Sequence, residues 1–240
     1  MDTPKHLDPG LSQGGRAAQQ AELRAQFADL PFDLTDVHLD NYIDALHRLT
    51  GPTERLDAVI DVTVEPVAPA DVDDVLAFFD HDAFAGKPEW AMCYCRFHHT
   101  NSTEWGERTW QQNRAELAEA LRTGAMRGLV ARVEGRVVAW LNCSNRSTAP
   151  QHATGQDDGV ACTFCWVIAP SHRGHGLART LLEAATEHLA KDGIHTVEGS
   201  AIEDPPDDAA AYVGPLSLYL SCGFDVMGHT ENHVTVQRRL

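Results

Sequence analysis

Trp166, Val167 and Ile168 end an apolar run, and Ala169, Pro170, Ser171 and His172 lead from it into Arg173, Gly174, His175 and Gly176. Pro170 cannot donate to a strand ladder and so stops the pairing. Gly174 and Gly176 let the backbone approach a ligand without side-chain interference. Leu177, Ala178, Leu181, Leu182, Ala185 and Leu189 then line one face of an amphipathic helix. The first N–H groups of such a helix lack internal partners, so this strand, turn and helix start form a site for phosphate or pyrophosphate. Arg173 and Arg179 add positive charge to it. Leu177 and Ala178 stand where a P-loop needs its Lys-Ser/Thr pair, and the three-glycine dinucleotide fingerprint is missing.

A second group of chemically capable residues is Cys93, Tyr94, Cys95, His98 and His99, close behind Trp90. Read as a strand over 90–97, it puts both thiols on one face. Zinc is one use for such a set, but the spacing matches no structural zinc pattern and adjacent histidines on a strand point oppositely. Buried thiols acting as small hydrophobes are the favoured reading. Cys162 and Cys165, three apart inside a strand, are expected to face opposite ways and not to form a redox pair.

The elements that must position these residues follow from periodicity. Helices are expected over 16–30 and 36–50, the second with a Leu39, Ile43, Leu46 and Leu49 stripe and a stop at Gly51 and Pro52. From residue 61 strands and helices alternate. The pattern predicts a strand over 62–67, a helix over 70–79, the strand over 90–97, and a helical region over 104–122. A hairpin follows, 128–133 and 136–143 around Glu134 and Gly135, then a strand over 160–168. A helix over 174–191, a strand over 196–201, a short helix over 215–221 and a strand pair, 225–229 and 233–239, complete a mixed α/β sheet with helices on both faces.

Composition sets the outer bounds. The chain has 240 residues, 43% apolar and 22% charged, which reads as one globular domain with an accessory segment. Its 19 Lys+Arg stand against 35 Asp+Glu, a net charge of −16 that disfavours nucleic acid. No apolar stretch reaches membrane-spanning length, and the first residues lack a signal-peptide core, so a cytoplasmic protein with reduced thiols is expected.

The pattern Arg173-x-x-Gly176-x-Ala178, with Ile168 and Pro170 before it and Tyr219, Gly223 and Phe224 after it, resembles the GNAT superfamily of N-acetyltransferases over about residues 62–240. Residues 1–60 stand outside the resemblance as an N-terminal extension, disordered at first and then helical. The resemblance implies a GNAT-type mixed, mostly antiparallel central sheet with helices on both faces. It also implies acetyl-CoA as co-substrate, with a longer acyl-CoA as the rival donor. The pantetheine arm would lie along the main chain of Trp166, Val167 and Ile168. The pyrophosphate would meet the amides of Gly174, His175, Gly176, Leu177, Ala178 and Arg179, with Arg173 beside it. Acetyl transfer would go directly to an amine in a ternary complex, with the Ile168 N–H facing the oxyanion and Tyr219 as proton donor to the thiolate. Tyr219 packing its ring in a short helix is the plainer alternative. The strand carries no glutamate to serve as base; Asp158, Glu203, Glu231, His98, His99 or water stay open. Trp90, Tyr94 and Trp105 are candidates for the acceptor wall. The expected acceptor is a small primary amine, a cationic one suiting the acidic balance, with a protein N-terminus or lysine as a further option and a homodimer left open. A non-catalytic CoA-binding module and a Cys/His metal-binding protein are the readings from other classes.

Overall fold

The computed structural model describes residues 14–26, 61–84, 90–149, 159–205, 211–230 and 232–240, with the isolated positions 28, 36, 39, 40 and 43. Helix α1 (Arg16–Gln26) buries Gln19 and Leu23, one turn apart. Leu39 and Ile43 are helical and buried, as the second expected stripe requires, whereas Leu46, Leu49 and the stop signals lie outside the described residues. Gln20 donates to the Asp40 carboxylate at 2.7 Å, Arg16 reaches it at 3.3 Å, and Arg24 pairs with Asp36, which sets the two segments side by side.

Strand β1 (Val62–Pro66) leads through a Pro69–Asp71 turn into α2 (Val72–His81), whose Val72, Val75, Leu76 and Phe79 are buried as their spacing predicts. The expected strand over 90–97 is not formed. Cys93, Arg96 and His99 each donate a backbone N–H to the carbonyl three residues back, so this stretch is a chain of turns. The reason lies in burial. Ala91, Tyr94, Cys95 and His98 are all buried, a spacing that no single strand face satisfies. The expected helical region over 104–122 is two helices, α3 (Ser102–Trp105) and α4 (Trp110–Thr123). Thr109 separates them by starting a new helix: its Oγ1 accepts from the Gln112 N–H while the Gln112 side chain accepts from the Thr109 N–H.

The hairpin β2 (Gly128–Val133) and β3 (Arg136–Asn142) forms around Glu134 and Gly135, both left-handed at φ 50° and 80°. The expected strand over 160–168 is two strands, β4 (Val160–Thr163) and β5 (Cys165–Ile168), parted at Phe164. Helix α5 (Leu177–Lys191), β6 (Thr196–Ala201), α6 (Leu216–Ser221), β7 (Asp225–His229) and β8 (Val234–Arg239) complete the chain. One antiparallel sheet runs β1-β2-β3-β5; the other runs β4-β6-β8-β7, with β4 and β6 parallel.

The break at Phe164 therefore hands one run of chain from the second sheet to the first, with β4 paired to β6 and β5 to β3. Helices α2 and α4 cover one side, where Phe79, Leu117, Trp140 and Val167 share a core. Helix α5 covers the other, with Leu181, Leu182, Ala185 and Leu189 against Ala139, Leu141 and Val197. Among the described residues no helix is long and apolar enough to cross a membrane.

Candidate active site

The site begins where β5 runs out. Ala169 makes a last bond to the Val138 carbonyl, then Pro170–His172 forms a tight turn. Gly174 and Gly176 adopt φ 77° and 80°, and a Cβ on either would meet nothing within 4 Å. Glycine is thus demanded by the left-handed backbone, and the space above each is open. The helix starts at Leu177 and not at Gly174, because Gly176 is its left-handed cap residue. Its first internal bond runs from the Thr180 N–H to the Gly176 carbonyl at 3.2 Å. The amides of Leu177, Ala178 and Arg179 precede that bond and point out of the helix start.

The two arginines divide. Arg173 lines the cleft and its Nε donates to the Ile168 carbonyl at 3.0 Å, tying turn to strand. Arg179 sends its side chain elsewhere, donating to the Ser221 carbonyl at 3.1 Å and pairing with Glu183 at 3.8 Å. Its guanidinium is thus turned away from the helix start, while its amide is one of those that precede the first helical bond. His175 is exposed and stands off the cleft wall.

On β5 the main chain alternates. Val167 faces Trp140 of β3. The Trp166 N–H turns the other way and donates to the Tyr212 carbonyl at 2.8 Å. By the two-residue repeat of a strand, the Ile168 N–H points to that same side. Trp166, Val167 and Ile168 all line a cleft of about 690 Å³ that continues to Gly174, Gly176, Leu177 and Ala178.

Tyr219 lies one layer behind this wall. It is fully buried. Its hydroxyl donates to the Val213 carbonyl at 2.9 Å, accepts from Trp166 Nε1 at 3.2 Å and sits 2.6 Å from Thr163 Oγ1. Burial pushes the phenol up to about 12, only partly offset by the hydrogen bonds from Thr163 and Trp166. The ring fills space left by Gly199 and Gly214, where a Cβ would come within 2.8 and 2.7 Å of it.

The far end of the cleft is aromatic. Trp90 and Tyr212 meet edge to face at 5.5 Å, Phe97 and Trp105 at 5.2 Å, and His98 stacks on Phe164 at 5.5 Å. Tyr94 packs beneath this wall, fully buried. Cys93, Cys95 and Cys165 complete the lining. Among the described lining residues there is no carboxylate. Among the described base candidates from the sequence, His98 lines the cleft and His99 and Glu203 do not. His99 is turned to Asn142 Nδ2 at 2.8 Å and to the Thr148 carbonyl at 3.0 Å. Since the amide donates, Nε2 of His99 is the acceptor and Nδ1 holds the proton. Glu203 is exposed off the cleft, and Asp158 and Glu231 lie outside the described residues.

Cys162 and Cys165 do not face opposite ways, as an unbroken strand would require. The break at Phe164 shifts the alternation by one, and both thiols enter the same core. No group of three His, Cys, Asp or Glu among the described residues is arranged to hold a metal. Sequence reasoning missed Tyr212 and Asn142: the first follows an acidic, proline-containing loop with no periodicity, the second reads as one more strand residue.

A comparison with curated protein sequences returns no match. Among solved structures, the chain resembles PaiA N-acetyltransferase from Thermoplasma acidophilum in complex with coenzyme A, at 12% identity and TM-score 0.46, over 75% of this chain and 100% of that one. It also resembles YncA from Salmonella typhimurium with acetyl-CoA, at 18% identity and TM-score 0.46, over 75% and 94%. A GCN5-related N-acetyltransferase from Kribbella flavida aligns at 20% identity and TM-score 0.48, over 75% and 98%. The sequence model of the acetyltransferase (GNAT) family matches residues 89–224, more than half of the chain, and the protein belongs to that family.

Proposed function

We propose that this acetyltransferase moves the acetyl group of acetyl-CoA directly to the amine of a small molecule held against the aromatic end of the cleft. The observation that carries this reading is the edge of β5, unpaired with any described strand on its far side from β3, running into a left-handed glycine turn at the start of a 15-residue helix. The residues fit such a donor. The amides of Gly174, His175, Gly176, Leu177, Ala178 and Arg179 would hold the pyrophosphate, and Arg173 would add a positive charge. Of Trp166, Val167 and Ile168, the Ile168 N–H would align the arm, since the Trp166 N–H is engaged by the Tyr212 carbonyl and Val167 is paired with β3. Acetyl-CoA supplies an activated carbonyl as a thioester; the chain supplies position and hydrogen bonds. The Ile168 N–H is the proposed oxyanion donor. Trp90, Trp105 and Tyr212 offer faces suited to an apolar amine or to a cation.

Tyr219 is the proposed proton donor to the departing thiolate; it lies one layer behind the cleft wall with its proton on the Val213 carbonyl, so donation requires that bond to yield and the contact with Trp166 to open. Tyr219→Phe tests that part. A fall in kcat of at least ~100-fold supports proton donation, whereas unchanged kcat with lowered stability makes the phenol a core support only.

The cofactor assignment is tested by calorimetry of acetyl-CoA on native protein and Gly176→Trp. The indole would fill the open space above Gly176 and, at φ 80°, would also strain the turn that presents the amides, so both effects act against the ligand. Binding is expected to weaken by more than ~10-fold, the equivalent of about 1.4 kcal/mol. Absence of binding to the folded native protein would refute the reading.

A further inference from the structure

Tyr94 and Cys95 are consecutive non-glycine residues in the left-handed region, at φ 43° and 56°. Such a pair costs free energy and persists only where its surroundings over-determine it. Here they do. The Tyr94 hydroxyl donates to Asp80 at 2.8 Å, Arg114 grips the same carboxylate through two nitrogens, and the Tyr94 ring stacks on Phe79 at 5.9 Å. Asn113 Nδ2 holds the turn from below by donating to the Met92 carbonyl at 2.7 Å.

This strain delivers one atom to one place. Cys95 Sγ receives hydrogen bonds from Trp140 Nε1 at 3.4 Å and from Asn142 Nδ2 at 3.2 Å. Both donors are fully buried. The amide cannot flip, because its Oδ1 accepts from the Ser144 N–H at 3.1 Å and from Ser144 Oγ at 2.8 Å. Two fixed N–H donors aimed at a buried sulfur favour its anion over its thiol.

The other groups around it agree. Burial opposes charge on Cys95, yet hydrogen bonds from Cys165, Asn142 and Trp140, with the Arg96 charge nearby, outweigh it and hold this thiol below its ordinary value. Cys165, donating to Cys95 and buried, moves well above. Burial, and then the charge on Cys95, pushes Cys93 up to about 11. Arg96 is itself paired with Glu116, His99 shares the Asn142 amide, and His98 stands on the adjoining wall.

Position completes the case. Asn142 pairs with Cys165 and Trp140 with Val167 across β3 and β5, so these side chains share the α2 and α4 side of the sheet. Trp166 faces the α5 side. Cys165 is three residues, about 10 Å, back along β5 from Ile168. A donor laid along that edge would stop between Ile168 and Trp166, and the amine with a bridging water would occupy the cleft between there and the thiols, which line it too.

We propose that Cys95 is the proton acceptor for the attacking amine, an assignment that rests on the acetyl-transfer reading above. The Cys95 thiolate takes a proton from the ammonium form of the substrate, giving the free amine and the Cys95 thiol. The amine nitrogen bonds to the thioester carbonyl carbon, the carbon–sulfur bond breaks, the CoA thiolate takes the Tyr219 proton, and the second nitrogen proton restores Tyr219. Cys95 returns its proton to water, and no oxidant or metal is consumed.

The first measurement needs no turnover: thiolate ultraviolet absorbance of native protein minus Cys95→Ser, titrated with pH. An inflection below the ordinary thiol value of about 8.5 is expected. An inflection at or above that value overturns the proposal, whether or not acetyl-CoA binds. The second is the pH profile of kcat/KM with acetyl-CoA and an accepted amine. Cys95→Ser is expected to lose about 100-fold or more in kcat with acetyl-CoA binding unchanged. Trp140→Phe, which keeps Cys95 and removes one donor, is expected to shift the rising limb to higher pH. Native kcat and profile in Cys95→Ser would overturn the role. A low inflection in a folded protein that does not bind acetyl-CoA would overturn the transfer reading and this role with it.

Discussion

A single phenol shows how burial turns into pH dependence. Tyr219 is held near 12 against an ordinary 10 by the cost of ionising a fully buried ring, offset in part by Thr163 and Trp166. Below the ordinary value both folded and unfolded chains keep the proton, and its contribution to stability is intact. As pH rises from 10 to 12 the unfolded chain ionises first, and roughly 2–3 kcal/mol is lost. Native protein should therefore lose stability more steeply across that window than Tyr219→Phe, measured as urea midpoints; parallel slopes would contradict the burial argument. The sequence pointed to this tyrosine through its spacing from Gly223 and Phe224, but its hydrogen bonds come from Thr163, Trp166 and Val213. Those partners lie far apart along the chain or in a loop without periodicity, so only the folded chain brings them together. The glycines at 174 and 176 were legible for the opposite reason, since a left-handed turn is a local demand.

At the scale of elements, almost every helix and strand was legible, and the failures share a cause. Periodicity shows that residues 160–168 are buried and extended, but not that the partner changes from β6 to β3 at Phe164. The stretch 90–97 has the apolar content of a strand and none of its pairing, because burial on several sides came from α2, α4 and β3 together. Close packing between neighbouring elements gives a further expectation. A Cβ on Gly128 of β2 would stand 2.2 Å from the Trp140 ring of β3. Gly128→Ala is expected to destabilise by about 1–3 kcal/mol, read as a lower urea midpoint with unchanged slope. An unaltered midpoint would mean that the indole moves aside freely, and with it a donor to Cys95.

The whole molecule carries a net charge of −16. A phosphate-bearing donor approaches that field uphill, while the proposed contacts, the turn amides and Arg173, would attract it only within a few ångströms. Salt screens the long-range part first, with a Debye length of about 10 Å at 0.1 M. The association rate of acetyl-CoA, followed by stopped flow, should rise as salt is added from very low ionic strength. A rate that falls steadily would show that positive charge governs the approach as well as the contact. Composition made this field readable from the start, although not its uneven distribution: the described cleft lining carries Arg173 and no carboxylate.

The main chain of β5 also keeps a measure of length. Along its open side the Ile168 N–H comes first from the glycine turn, and the next, at Trp166, is already spoken for by the Tyr212 carbonyl. These two positions stand about 7 Å apart. Anything threaded along the edge meets a stop there made by the chain itself, so the strand gauges how far an incoming arm may reach before the loop carrying Tyr212 must yield.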